Sequence, residues 1–122
     1  MNNNLKKDLK SRSHLFALAI INYIDTLNKD DLTIQIISKQ ILRSATSIGA
    51  NIIEAQAGSS KKDFTNFFFY ALKSANETKF WLEILRDSNK ADKQTTETLL
   101  RESTEISNIL GSSILTLRGR KK

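Results

Sequence analysis

Side chains able to act as acid, base or nucleophile are few in this chain. There is one histidine, His14, and no cysteine. A thiolate metal site, a cysteine nucleophile and a disulfide framework are thereby excluded. A di-iron bundle needs Glu-x-x-His on two helices and Glu on two more. His14 has Ser11 three residues before it and no second histidine to pair with, so it reads as a first-turn surface residue. Glu54 and Glu77 remain as acid–base candidates. No nucleophile with its own base, no phosphate-cradling glycine loop and no cofactor motif accompanies them. Asn51 and Glu54 lie near each other on one predicted helix, Ser74 and Glu77 on the next. Arg43, eleven residues before Glu54, shares its face. These five residues read as polar contacts between helices, and we expect a non-enzymatic protein without cofactor or metal.

The basic residues are the better lead. Nineteen Lys and Arg against thirteen Asp and Glu give a formal charge of +6 in 122 residues. That suits an acidic partner such as nucleic acid. Lys61 and Lys62 fall in the first turn of a predicted helix, where cations oppose the helix dipole at a cost of a few tenths of a kcal/mol. A bound anion would offset that cost, because free N–H groups, dipole and two ammonium groups converge there. The end of the chain, Arg118, Arg120, Lys121 and Lys122, is a basic tail, and Lys6, Lys7, Lys10 and Arg12 form another basic cluster partly offset by Asp8. Lys39 and Arg43 are weaker candidates for the same role. Sequence alone leaves open whether these clusters join. It suggests opposite positions along alternate helices for the N-terminus and the 57–61 turn.

Helices must carry these residues. With no proline and four glycines, the composition argues against a turn-dense β fold. Apolar residues recur at three- and four-residue steps in four stretches, about 11–27, 32–57, 60–88 and 92–117. Their stripes are Phe16, Ile20, Tyr23 and Leu27; Ile34, Ile37, Ile41, Ala45, Ile48, Ile52 and Ala55; Phe64, Phe68, Ala71, Ala75, Thr78, Leu82 and Leu85; and Leu99, Ile106, Leu110, Ile114 and Leu117. Gly58 is expected to end the second helix, and Ser60 with Asp63 resembles a capping box at the start of the third. Short connections make neighbours antiparallel. The expected fold is a single all-α domain over 1–122, an up-down-up-down four-helix bundle with a tail at 118–122. The longest apolar run, residues 15–21, is too short to span a membrane, which needs about 20 residues. With no apolar signal core behind Met1, we expect a cytoplasmic protein.

Phe67-Phe68-Phe69-Tyr70 places four aromatics in succession around the third helix. Phe80 lies three turns after Phe69, and Trp81 three turns after Tyr70. Phe69, Tyr70, Phe80 and Trp81 exceed what a four-helix monomer buries, and we expect them to mediate self-association.

The run Ile41-Leu42-Arg43-Ser44-Ala45-Thr46-Ser47-Ile48-Gly49-Ala50-Asn51-Ile52-Ile53-Glu54-Ala55, then Ser59-Ser60-Lys61-Lys62-Asp63-Phe64, then Ala71-Leu72-Lys73-Ser74-Ala75-Asn76-Glu77-Thr78, resembles the four-helix-bundle family encoded in 23S ribosomal RNA intervening sequences. One departure is visible: the family commonly has Glu-Gly after Asn-Ile-x, and here Ala55 follows Glu54, with glycine delayed to Gly58. The resemblance implies a closed homo-oligomeric ring, typically of five copies, and no catalytic residues. A related branch, accessory proteins of diversity-generating retroelements, resembles basic barrels that bind nucleic acid and a reverse transcriptase. The expected partners are therefore further copies of the chain and RNA or DNA, with the alternative of a protein-interaction scaffold serving a polymerase-type partner.

Overall fold

The computed structural model describes residues 2–119, with side chains from residue 9 onward. Arg120, Lys121 and Lys122 lie outside the described residues. Four helices follow one another: α1 (Asn2–Asp25), α2 (Leu32–Gln56), α3 (Lys61–Asp87) and α4 (Lys93–Gly119). There is no strand among the described residues. The helices pack in a square in chain order, α1 against α2 and α4, α3 against α2 and α4.

Buried side chains explain why these stretches form helices. The four apolar stripes converge on one core, whose largest fully buried members are Phe16, Ile20, Ile41, Ile48, Ile52, Leu82, Leu85, Ile106 and Leu110. Replacing one of them by alanine costs about 2–5 kcal/mol. Leu117 is only half-buried. α1 begins at Asn2, well before the predicted position 11. The reason is visible in burial: Leu9 and Ser13 are buried and continue the stripe of Phe16, Ile20 and Tyr23 toward the N-terminus.

Capping sets the other boundaries. The Asp31 carboxylate accepts the Ile34 N–H at 3.0 Å and opens α2. The Ser60 hydroxyl accepts the Asp63 N–H at 3.1 Å and opens α3. Asp63 does not complete a reciprocal box; its carboxylate accepts instead from the Ser59 hydroxyl at 3.0 Å. Asp92 accepts the Thr95 N–H and hydroxyl at 2.9 and 2.6 Å ahead of α4.

The two turns that flank α3 use different devices. After α2, Gly58 serves close approach, since a Cβ there would stand 3.1 Å from the Ala55 carbonyl oxygen and 3.2 Å from Asp63 Cβ. After α3, Asn89 takes the left-handed conformation (φ 61°). Its N–H donates to the Arg86 carbonyl and that of Lys90 to the Leu85 carbonyl, the paired bonds of a Schellman ending.

Antiparallel packing fixes which residues are level. Ser44 and Thr78 hydroxyls lie 2.7 Å apart between α2 and α3. Ser103 donates to the Ala75 carbonyl at 3.1 Å and Ser107 to Asn76 Oδ1 at 2.9 Å between α4 and α3. Tyr23 and Thr96 hydroxyls, 2.7 Å apart, join α1 to α4, and burial pushes the Tyr23 phenol pKa up. The Arg12 guanidinium meets Glu102 at 3.0 and 2.7 Å and Glu105 at 2.7 Å, which holds its pKa well above the ordinary value. Gly49 lets α1 approach α2, because a Cβ there would lie 3.2 Å from Ser13 Oγ.

This topology corrects one expectation. The start of α1, the α2–α3 turn and the end of α4 share one end of the bundle. They do not fall at opposite positions.

Candidate nucleic-acid interface

That shared end gathers the positive charge. Among the residues whose side chains are described, segments 9–12, 57–63 and 118–119 carry five Lys and Arg against one Asp, whereas the others carry nine against eleven acids. Net charge is therefore polarised along the bundle, in a molecule whose longest helices span about 40 Å.

Within the described residues, Lys61, Lys62, Thr65, Asn66 and Arg118 line one open concavity of about 420 Å³. α3 supplies the first four from its opening turns, and α4 supplies Arg118 from its last turn. The Arg118 guanidinium sits over the Phe69 ring at 5.8 Å, and Lys73 Nζ approaches the same ring at 5.9 Å. An aromatic face attracts both cations and holds Arg118 beside the concavity. None of Lys61, Lys62 and Arg118 pairs with a carboxylate among the described residues. The Lys61 and Lys62 N–H groups have no acceptor among the described residues, since Ser60 takes only the Asp63 N–H. Unpaired cations, free N–H groups and the positive end of a helix dipole together favour negative charge there.

The structure thus brings Lys61, Lys62 and Arg118 together and leaves Lys39 and Arg43 apart. Arg43 is level with Glu77, about 24 Å along α3 from Lys61, and Lys39 lies one turn farther away. Arg12, counted in sequence with the basic cluster, is neutralised by Glu102 and Glu105.

The five residues expected to form interhelical polar contacts are mostly separate. Arg43 reaches Glu77 across α2 and α3 at 3.9 Å and also donates to Gln40 at 2.6 Å. Asn51 donates to the Ser47 carbonyl within its own helix, and the Ser74 carbonyl accepts from Thr78 within α3. Glu54 is exposed and makes no ion pair among the described residues. The polar contacts that do cross the core use Ser44, Thr78, Ser103, Tyr23 and Thr96, small or hydroxyl-bearing residues inside apolar stripes.

Of the four rings singled out on α3, Phe80 and Trp81 touch edge to face, with centroids 4.9 Å apart. Phe69 and Phe80 are exposed, and Phe69 lies toward α4, beneath Arg118. Tyr70 is exposed and Trp81 half-buried on the side toward α2, where Trp81 Nε1 donates to Glu77 at 3.1 Å. His14 is exposed on α1, and no three His, Asp or Glu side chains converge among the described residues. No described helix is long and apolar enough to cross a membrane.

Residues 6–112 match the family described as 23S rRNA-intervening sequence protein. The chain belongs to this family. A crystal structure of a protein of unknown function from the S23 ribosomal protein family of Bacteroides thetaiotaomicron is 41% identical, with a TM-score of 0.81. The match covers 90% of this chain and 97% of that one. No protein of curated function matches. Family membership agrees with the resemblance carried by residues 41–55 and 59–78.

Sequence reasoning missed Thr65, Asn66 and Lys73 as neighbours of the basic residues. A signal was present: Lys62, Asn66, Phe69 and Lys73 follow one another at steps of four, three and four, and so share one face of α3. The Arg12 pairing has no local signal, because its partners lie some ninety residues away.

Proposed function

We propose that this family member is a non-enzymatic, self-associating bundle, acting in the cytoplasm, that binds structured RNA or DNA through phosphate contacts at its basic end. The observation that carries the reading is the concavity where Lys61, Lys62 and Arg118 meet without an anionic partner. Phosphate contacts position a nucleic acid without reading its bases, so binding is weakly dependent on sequence. Arg120, Lys121 and Lys122 follow Gly119 in the chain and count among the proposed phosphate-contacting residues. Lys39 and Arg43 serve at most an extended contact. Five copies, the number the family resemblance implies, carry about +30 together, which attracts a polyanion strongly.

A gel-shift titration with a folded RNA and with duplex DNA tests the reading. Binding at low salt that weakens steeply as salt rises supports it. Absence of binding at low salt, or binding indifferent to salt, contradicts it.

A second reading rests on the other side of α3. Trp81 stands beside Glu77, which meets Arg43, on a surface away from the basic concavity, and Tyr70 is exposed one turn of α3 beyond Ser74. Such a mixed aromatic and charged face suits a protein partner of polymerase or reverse-transcriptase type. On this reading, Lys61→Glu and Lys62→Glu leave partner capture intact while Tyr70→Ser abolishes it.

A further inference from the structure

Seven aromatic rings project from α3. Six of them meet one another in pairs: Phe64 with Phe68, Phe67 with Tyr70, and Phe80 with Trp81. The seventh, Phe69, has cations against it instead. The Arg118 guanidinium lies 5.8 Å and Lys73 Nζ 5.9 Å from its centroid, and the residue is 40% exposed. Phe69 is thereby set apart from Phe80, which lies about 16 Å farther along α3.

We infer that Phe69 is a stacking platform for an unpaired base of single-stranded nucleic acid, with the phosphates on either side of that base held by Lys73 and by the cations of the Lys61–Arg118 concavity. The inference rests on the phosphate-binding reading above and adds the form of nucleic acid that this end takes.

Three observations select this occupant. The first is that Arg118 belongs to both features. It lines the concavity with Lys61 and Lys62, and it lies over the Phe69 ring. Ring and cations are therefore one surface. The second is charge. Neither Lys73 nor Arg118 pairs with a carboxylate among the described residues. Covering Phe69 with an apolar surface would strip water from both cations and give neither a partner. A nucleotide answers both needs, since its base covers the ring and its phosphates neutralise the cations. The third is order along the helix. Lys62, Phe69 and Lys73 share one face of α3. The ring stands about 10 Å past Lys62 and about 6 Å before Lys73. A strand lying along this face meets cation, ring and cation in turn, matching its own alternation of phosphate and base.

Bases inside a duplex are covered on both faces by their neighbours and cannot reach the ring. Loops, bulges and strand ends of a folded nucleic acid supply bases that can. Every base has a face to stack, so the contact tolerates any sequence.

The test separates base from phosphate. The probes are a short oligodeoxyadenylate, a strand of the same length with abasic sites in place of every base, and a blunt duplex. The proteins are the unmodified chain, Phe69→Leu and Phe69→Tyr, with helicity checked by circular dichroism and mass by light scattering. The unmodified chain is expected to bind the oligodeoxyadenylate about tenfold more tightly than the abasic strand. Phe69→Leu should remove that preference while leaving affinity for the abasic strand and the dependence on salt unchanged. Phe69→Tyr, which keeps the ring, should retain it. Equal affinity of the unmodified chain for the two strands overturns the inference and leaves phosphate binding standing, and it decides the matter even where Phe69→Leu fails to fold. So does a preference that survives in Phe69→Leu, or an equal loss on all three probes. Lost binding accompanied by a changed mass assigns Phe69 to contacts between copies and likewise overturns it. Absence of binding to every probe at low salt overturns the phosphate-binding reading itself.

Discussion

The two ends of the bundle handle charge in opposite ways. At the end formed by the α1–α2 and α3–α4 connections, most charges are spoken for. Lys90 Nζ lies 2.6 Å from the Asp31 carboxylate, Arg86 lies 2.8 Å from Asp87, and Asp31 and Asp92 cap helices. At the other end, Lys61, Lys62 and Arg118 surround a concavity with no carboxylate against them. Charges that stabilise a fold are paired or capping. Charges kept for a partner stay unsatisfied within the chain. The comparison separates these two uses and gives the basic end its functional reading.

Charge reversal gives the largest contrast. The combined variant Lys61→Glu, Lys62→Glu and Arg118→Glu is expected to weaken RNA binding about a hundredfold at moderate salt, while Lys29→Glu with Lys93→Glu at the opposite end changes it less than about twofold. Fluorescence anisotropy with a labelled RNA reads both, and equal losses at the two ends would erase the distinction.

The turns at the two ends should also fail differently. Gly58→Val forces a side chain against Ala55 and Asp63 and costs about 1–3 kcal/mol. Asn89→Val strains a left-handed residue and costs about 1–2 kcal/mol, whereas Asn89→Gly is tolerated or stabilising. Urea denaturation measures all three, and a neutral Gly58→Val would show that the α2–α3 turn has room to relax.

Arg12 tests whether a cation near the basic end belongs to the fold. Arg12→Met loses the bonds to Glu102 and Glu105 for about 1 kcal/mol at this partly exposed site. It should leave nucleic-acid affinity close to that of the unmodified chain, apart from the lost unit of charge. A large loss of binding with unchanged stability would return Arg12 to the interface.

The smallest effect concerns pH. The Lys90 ammonium and then the Ile34 N–H hold the Asp31 carboxyl below the usual carboxylate range. The native state thus favours the ionised form, and its contribution to stability is present at pH 7 and lost as pH falls through the lowered native value. Asp31→Asn keeps the cap and removes the ion pair. Its thermal midpoint should lie slightly below that of the unmodified chain at pH 7 and coincide with it in acid. A difference that persists in acid would assign the effect to the cap.

Most of the bundle was legible because periodicity is a local property. The stripe from Ile34 to Ala55 and that from Phe68 to Leu85 read directly as buried faces. The start of α1 was less so, since Leu9 stands among Lys7, Asp8 and Lys10 and its burial depends on helices far away in sequence. The candidate site was half legible. The composition of the first turn of α3 singled out Lys61 and Lys62, but their meeting with Arg118 depends on which helix ends coincide. Asn51, Glu54 and Ser74 have the polarity expected of interhelical contacts, yet hydroxyls such as Ser44 and Thr78 fit between closely packed helices where longer polar side chains do not. Neither charge nor period distinguishes those cases.

The central claim is that the cations at one end of the bundle contact phosphates. The slope of log Kd against log salt concentration for a structured RNA measures how many. Expected are a steep dependence for the unmodified chain and a slope smaller by about two to three for Lys61→Gln, Lys62→Gln and Arg118→Gln combined, at roughly 0.7–0.9 per lost contact. Identical slopes for the two proteins would contradict it.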